Sequence, residues 1–326
     1  MRRPTPDTVA AVAPWAAVAL VVVLGAVSMA IGVIDLGALD GPEARELILT
    51  SRLPRTAALI LAGASMAVAG LIMQHLAQNR FVAPTTAGTV DAAAVGLLVA
   101  TLLFTGAAVI TKVAIALVFA LAGTALFVLL TQRIQFKDMI LVPLLGLVLA
   151  GVYRAGAEFF AFRAGLTQAL DTWFNADFSG IIEGRYETLW LAGLAAAGAY
   201  LFANRFTAAG MGEAFATNIG VNYRLVMSGG LGIAALATAV VVVTVGAIPF
   251  LGLIVPNIVT LVLGDNLRRV LPVTALVGAS LVLVCDIVGR VLIFPYEISM
   301  GLIVGVVGSA VFLAMVMRKG NRYATT

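Results

Sequence analysis

One pattern repeats from end to end of the chain: a long apolar run, then a short polar or turn-rich break. The runs fall at about Val12 to Ile34, Ala57 to Leu76, Thr86 to Phe104, Ala107 to Leu130, Met139 to Phe160, Leu189 to Phe202, Val226 to Val245, Ile248 to Leu263, Val270 to Val288 and Ser299 to Met317. A helix that crosses a bilayer needs about 20 apolar residues. Ten such runs, with the short breaks between them, take up most of the 326 residues and leave little over for a separate extramembrane domain. The expected fold is therefore an all-α polytopic membrane protein, about ten transmembrane helices in one bundle, with residues 1–326 as a single domain. Composition excludes the soluble alternative. Only 11% of the residues are charged and 62% are hydrophobic, whereas a soluble domain is about a quarter charged and half apolar.

The few charges carry the next inference. Short cytoplasmic loops are enriched in Lys and Arg. An inside N-terminus puts Arg2, Arg3, Arg80, Arg133, Lys137, Arg205, Arg224, Arg268, Arg269, Arg318, Lys319 and Arg322 inside, against Arg45, Arg52, Arg55, Lys112, Arg163, Arg185 and Arg290 outside. An even number of spans then makes both termini cytoplasmic. The outer segments also hold Asp35, Asp40, Glu43, Glu46, Asp171, Asp177, Glu183 and Glu187, the composition of a polar docking surface. The basic residues are too scattered for nucleic acid. The first run lacks a small-residue cleavage site after a short core, so it reads as a retained helix.

Two breaks are long enough to have structure of their own. The outer segment at about 163–187 carries Trp173, Phe174, Phe178 and Ile181 among polar residues, which predicts a short interfacial helix. The inner segment at about 205–224 contains a brief helical stretch bracketed by Gly210 and Gly220. A weak internal match pairs Leu53-Pro54 and Gly63-Ala-Ser65 with Leu271-Pro272 and Gly278-Ala-Ser280.

Catalytic chemistry finds no support. A phosphate-binding loop ends in Gly-Lys-Ser/Thr, and none of Lys112, Lys137 or Lys319 follows a glycine. Cys285 is alone, and His75 has no catalytic company. Charges within spans are costly and mark functional candidates. Arg154 with Glu158, and Asp286 with Arg290, lie four apart on a helix face; each pair reads either as a clamp between helices or as the lining of a pathway or gate. Asp91 is the obvious acid for ion coupling, near the inner end of its span. Gly63, Gly70, Gly301, Gly305 and Gly308 suit close helix packing, and Pro249, Pro256 and Pro295 suit broken helices.

Specific strings then carry a resemblance. Ser51-Arg-Leu-Pro-Arg55, followed by Gly63-Ala-Ser-Met-Ala-Val-Ala-Gly70 and Gln74, resembles the second-helix signature of the FecCD family, the iron-siderophore, haem and vitamin B12 permeases of ABC importers. Gln78-Asn-Arg-Phe-Val-Ala-Pro84 with Gly88, Gly246-Ala-Ile-Pro-Phe-Leu-Gly-Leu-Ile-Val-Pro256, and Asp265-Asn-Leu-Arg-Arg-Val-Leu-Pro272 with Gly278, Asp286 and Arg290 match further family motifs in order.

The resemblance implies the fold of the vitamin B12 importer permease. It implies a second permease subunit, identical or related, two cytoplasmic ATPase subunits that bind ATP and Mg, and an extracytoplasmic substrate-binding protein. No cofactor or metal is implied in this chain. Arg52, Arg55 and Arg290 match the outer arginines that receive acids of the binding protein. Glu213, Phe215, Ala216, Asn218, Gly220 and Val221 match the segment that meets the ATPase. Three departures, at Asn79-Arg-Phe-Val-Ala83, Pro256-Asn257 and Glu297-Ile-Ser-Met-Gly301, resemble the branch linked to catecholate-type siderophores.

The expected function is a permease in a bacterial inner membrane, carrying an iron(III)-siderophore complex inward without covalent chemistry. Haem or vitamin B12 is the alternative cargo, and an ion-coupled secondary carrier the alternative mechanism.

Overall fold

A computed structural model describes residues 6–32, 34, 40–133 and 141–323. Arg2, Arg3, Asp35 and Lys137 lie outside the described residues, as do the side chains of Arg318, Lys319 and Arg322. The described chain is helical throughout. It runs through α1 (Pro6–Ala30), α2 (Gly41–Leu47), a π-helical turn (Ile48–Arg52), α3 (Leu53–Leu76), α4 (Thr89–Leu103), α5 (Val109–Gln132), α6 (Leu141–Ala164), α7 (Thr167–Phe174), α8 (Leu189–Leu201), α9 (Ala203–Gly210), α10 (Glu213–Asn218), α11 (Tyr223–Val245), α12 (Leu251–Leu263), α13 (Leu267–Val291) and α14 (Met300–Tyr323).

Among the described residues, six helical stretches are long and apolar enough to cross a membrane: Val12–Ala30, Gly41–Leu76, Val109–Gln132, Leu141–Ala164, Tyr223–Val245 and Leu267–Val291. Four shorter apolar helices, Thr89–Leu103, Leu189–Leu201, Leu251–Leu263 and Met300–Met315, fill the remaining places in the expected series. Boundaries moved where the backbone has its own demands. The second span begins at Gly41 rather than Ala57, because α2 continues through the π-helical turn into α3. The eighth begins at Leu251 rather than Ile248, because Gly246 takes a positive φ of 89° and ends α11. Asn222 and Asn266 start α11 and α13 by accepting from the amides of Leu225 and Arg268 at 3.1 and 3.0 Å, the usual work of an N-cap.

Helix α3 is the axis: 78% of its apolar window is buried, against 17% for α6. It lies antiparallel to α13, since Arg55 meets Asp286 at one end and His75 meets Asp265 at the other. Midway, Gly63 and Gly278 touch. A Cβ added to Gly63 would lie 2.8 Å from the Gly278 carbonyl oxygen, and one added to Gly278 would lie 2.5 Å from that of Gly63. In lipid, where hydrophobicity does not drive one helix onto another, such close backbone approach is a main source of association. The two Gly-Ala-Ser strings that looked like a faint repeat are thus the two sides of one contact.

The break between α11 and α12 needs partners for its backbone, because unsatisfied polar groups are costly at membrane depth. The end of α7 and the chain after it supply them. Ala247 N–H donates to Trp173 O at 2.9 Å, Ala176 N–H to Ala247 O at 3.0 Å and Asp177 N–H to Val245 O at 2.9 Å. Gly301 N–H, in the first turn of α14, donates to Ala176 O at 2.9 Å. The predicted interfacial segment therefore contains its short helix, with Leu170 on its buried side, but the residues after it turn inward, with Ala176, Phe178 and Ile181 buried.

Candidate functional site

The charged residues of α3 and α13 gather at one end of the bundle. Arg55, in the first turn of α3, donates to Asp286 Oδ1 from Nε at 3.2 Å and from Nη2 at 2.7 Å. The same guanidinium donates to Glu297 Oε1 from Nη1 at 3.1 Å and to Oε2 from Nη2 at 2.9 Å. Asp286 also forms an ion pair with Arg290 Nη2 through Oδ2 at 2.6 Å. One buried carboxylate thus serves two arginines, and one arginine is shared by two carboxylates.

Arg52 and Arg290 face α1. Arg290 Nη1 donates to the carbonyls of Ser28 and Ile31 at 2.9 and 2.8 Å, and Nη2 to Ser28 Oγ at 2.7 Å. Arg52 donates to the carbonyls of Met29 and Ala30 at 2.8 and 3.0 Å and to that of Ile34. These are carbonyls at and just beyond the end of α1, the negative pole of its dipole, where a cation is favoured.

The three arginines matched to a docking role differ in exposure. Arg52 and Arg290 are buried, Arg52 on the carbonyls of α1 and Arg290 between α1 and Asp286. Only Arg55 retains an accessible edge, its side chain 15% exposed.

Glu297 completes the cluster and was not picked out as a site residue. Its position depends on Gly289. A Cβ on Gly289 would lie 2.5 Å from Ile298 O, and Ile298 N–H donates to Gly289 O at 3.0 Å. Glycine here lets the loop after α13 fold back against its own helix, which brings Glu297 to Arg55. Sequence spacing does not carry that signal, because the contact joins residues 242 apart.

The other predicted pair differs in kind. Arg154 Nε stands 3.5 Å from Glu158 Oε1, with side chains 50% and 59% exposed, and the guanidinium lies 4.1 Å from the Phe174 ring centroid. Asp286 and Arg290 are buried between helices, whereas Arg154 and Glu158 stand on the open face of α6, with Arg154 against the Phe174 ring of α7. A half-exposed ion pair in the middle of an apolar helix is costly against hydrocarbon. Asp91 is buried in the first turn of α4, where free helix amides favour an acid.

At the opposite end lies the segment that resembles an ATPase contact. Glu213, Phe215, Asn218 and Gly220 are exposed. Ala216 is fully buried and Val221, partly buried, packs against the core just after α10. Two of the departures from the family pattern meet nearby: Asn257 Nδ2 donates to Arg80 O at 2.7 Å and to Leu253 O at 2.8 Å. Arg80 in turn pairs with Asp265 at 3.1 Å. No group of three or more His, Cys, Asp or Glu suited to a metal occurs among the described residues.

The fold is that of a transporter's membrane subunit. A solved metal-chelate type ABC transporter in an inward-facing conformation superposes with a TM-score of 0.79 at 23% identity, over 94% of this chain and 98% of that one. Sequence narrows the class: the chain belongs to the FecCD transport family, which matches residues 13–318. It is a multi-pass transport permease. It is 48% identical over 304 residues to the petrobactin import system permease protein YclN of Bacillus subtilis, covering 92% of this chain and 96% of that protein. It is 41% identical to the petrobactin permease FatD of Bacillus anthracis, over 93% of this chain and 90% of that one. The ferric-anguibactin permease FatD of Vibrio anguillarum is 40% identical over 271 residues, 83% of this chain and 86% of that one.

Proposed function

We propose that this chain is the permease subunit of an ATP-driven importer that carries a ferric siderophore of catecholate type across a bacterial inner membrane. The observation that carries the reading is the near full-length similarity to permeases named for petrobactin and ferric anguibactin. In this reading two permease subunits enclose the path, the Arg55 end faces out toward a substrate-binding protein, and both termini are cytoplasmic. Glu213, Phe215, Asn218 and Gly220 meet an ATPase subunit. Residues 205–224 form the coupling segment of a single membrane domain, residues 163–187 lie on the outer side, and ATP with Mg binds only on the partner. Arg154 and Glu158, on the exposed face of α6, line the path between the two permeases.

Docking rests on the partly accessible Arg55, with Arg52 and Arg290 holding α1 in register behind it. The test is uptake of radiolabelled iron by a strain lacking this gene and all other iron-chelate permeases. Restoring the gene should restore uptake of ferric petrobactin. Restored uptake of haem or vitamin B12 in its place would overturn the cargo assignment.

A further inference from the structure

Two guanidinium groups, Arg55 and Arg290, meet two carboxylates, Asp286 and Glu297, while Arg52 bonds the carbonyls at the end of α1. The two acids are not equivalent. Asp286 has a side chain 1% exposed, locked between two arginines. Glu297 is 29% exposed, lies outside the helices, and bonds only the outer edge of Arg55. Arg52 and Arg290 cannot turn outward without stripping the carbonyls at the end of α1. An incoming carboxylate therefore has one place to bind, the edge of Arg55 that Glu297 covers.

We infer that Glu297 is an exchangeable internal ligand: it satisfies Arg55 in the free permease and yields to a carboxylate of the substrate-binding protein on docking. The inference rests on the docking reading given above. The exchange leaves charge pairing on Arg55 unchanged, so no buried cation is exposed at any stage, and Asp286 holds the guanidinium in place while its outer partner changes. The loop that carries Glu297 is itself open to solvent, with Leu292, Phe294 and Tyr296 exposed. Docking by exchange is weak per contact, because it trades one partly exposed ion pair for another, and it discriminates against proteins without an acid at that point.

The experiment measures the affinity of the importer's substrate-binding protein for the whole transporter in lipid nanodiscs, at low salt. Variants are Glu297→Gln, Arg55→Ala and the two combined. Glu297→Gln keeps the shape and removes the competing charge, so binding should tighten by about two- to fivefold. Arg55→Ala should weaken binding, and the double variant should match Arg55→Ala alone. If Arg55→Ala weakens binding but Glu297→Gln leaves it unchanged or weaker, the exchange is wrong while docking at Arg55 stands. If Arg55→Ala has no effect, both fall. Thermal unfolding of each variant separates a docking defect from a folding defect.

Discussion

Arg55 and Asp286, 231 residues apart in the chain, are joined by two hydrogen bonds of 2.7 and 3.2 Å that fasten the start of α3 to the end of α13. Asp286 pairs at the same time with Arg290, whose other bonds reach α1. Three helices thus meet on one buried carboxylate. Removing one member of a buried ionic group costs about 3–5 kcal/mol because the remaining charges lose their counter-ion. Asp286→Asn should therefore lower the unfolding free energy by that order, read by denaturant titration in mixed micelles. A loss below about 1 kcal/mol, the scale of a surface pair, would contradict the clamp.

The middle of the same helix pair makes a different prediction. Gly278→Leu forces a side chain into the backbone of α3, where even a Cβ would sit 2.5 Å from the Gly63 carbonyl. Overpacking costs about 1–3 kcal/mol or more, and the expected result is loss of folded protein on size exclusion. Gly151→Ala, on the open face of α6 with nothing within 4 Å, is the matched control and should fold normally.

What sequence made legible follows from how each signal is encoded. Apolar run length and spacing along a helix are local, so the ten stretches and the i,i+4 pairs Asp286–Arg290 and Arg154–Glu158 are readable residue by residue. Burial is not local. Arg52 and Arg55 sit in one short motif, yet a rotation along the π-helical turn and α3 turns one into α1 and the other toward Glu297. No periodicity announces that Asp286 is shared, that Glu297 folds back over Gly289, or that the chain after α7 supplies backbone partners to the break at Gly246. The burial of Ala216 is hidden for the same reason: in a six-residue helix any face can be the buried one.

The α10 end carries the coupling prediction. Gly220 has φ +78° with open space around it, so the cost of a side chain there is backbone strain, of order 1–3 kcal/mol for a non-glycine residue held in that region. Gly220→Leu should distort the exposed turn after α10 without touching the core. In reconstituted transporter, ATP hydrolysis should persist while uptake falls. Normal uptake would show that the turn does not transmit the ATPase cycle.

Docking through charged groups should be sensitive to salt. Screening shortens the reach of such interactions from about 10 Å at 0.1 M to about 3 Å at 1 M ionic strength. Affinity for the binding protein should fall steadily over that range, and a salt-independent affinity would mean that apolar contacts carry the docking.

In the proposed function this chain forms a path powered by a partner's ATP hydrolysis. Purified transporter in proteoliposomes, supplied with binding protein and ferric petrobactin, tests it directly. Uptake of iron should require ATP and Mg, stop when the ATPase subunit is made inactive, and continue when an uncoupler collapses the proton gradient. Uptake that persists without a working ATPase and disappears with the uncoupler would contradict the account and identify an ion-coupled carrier.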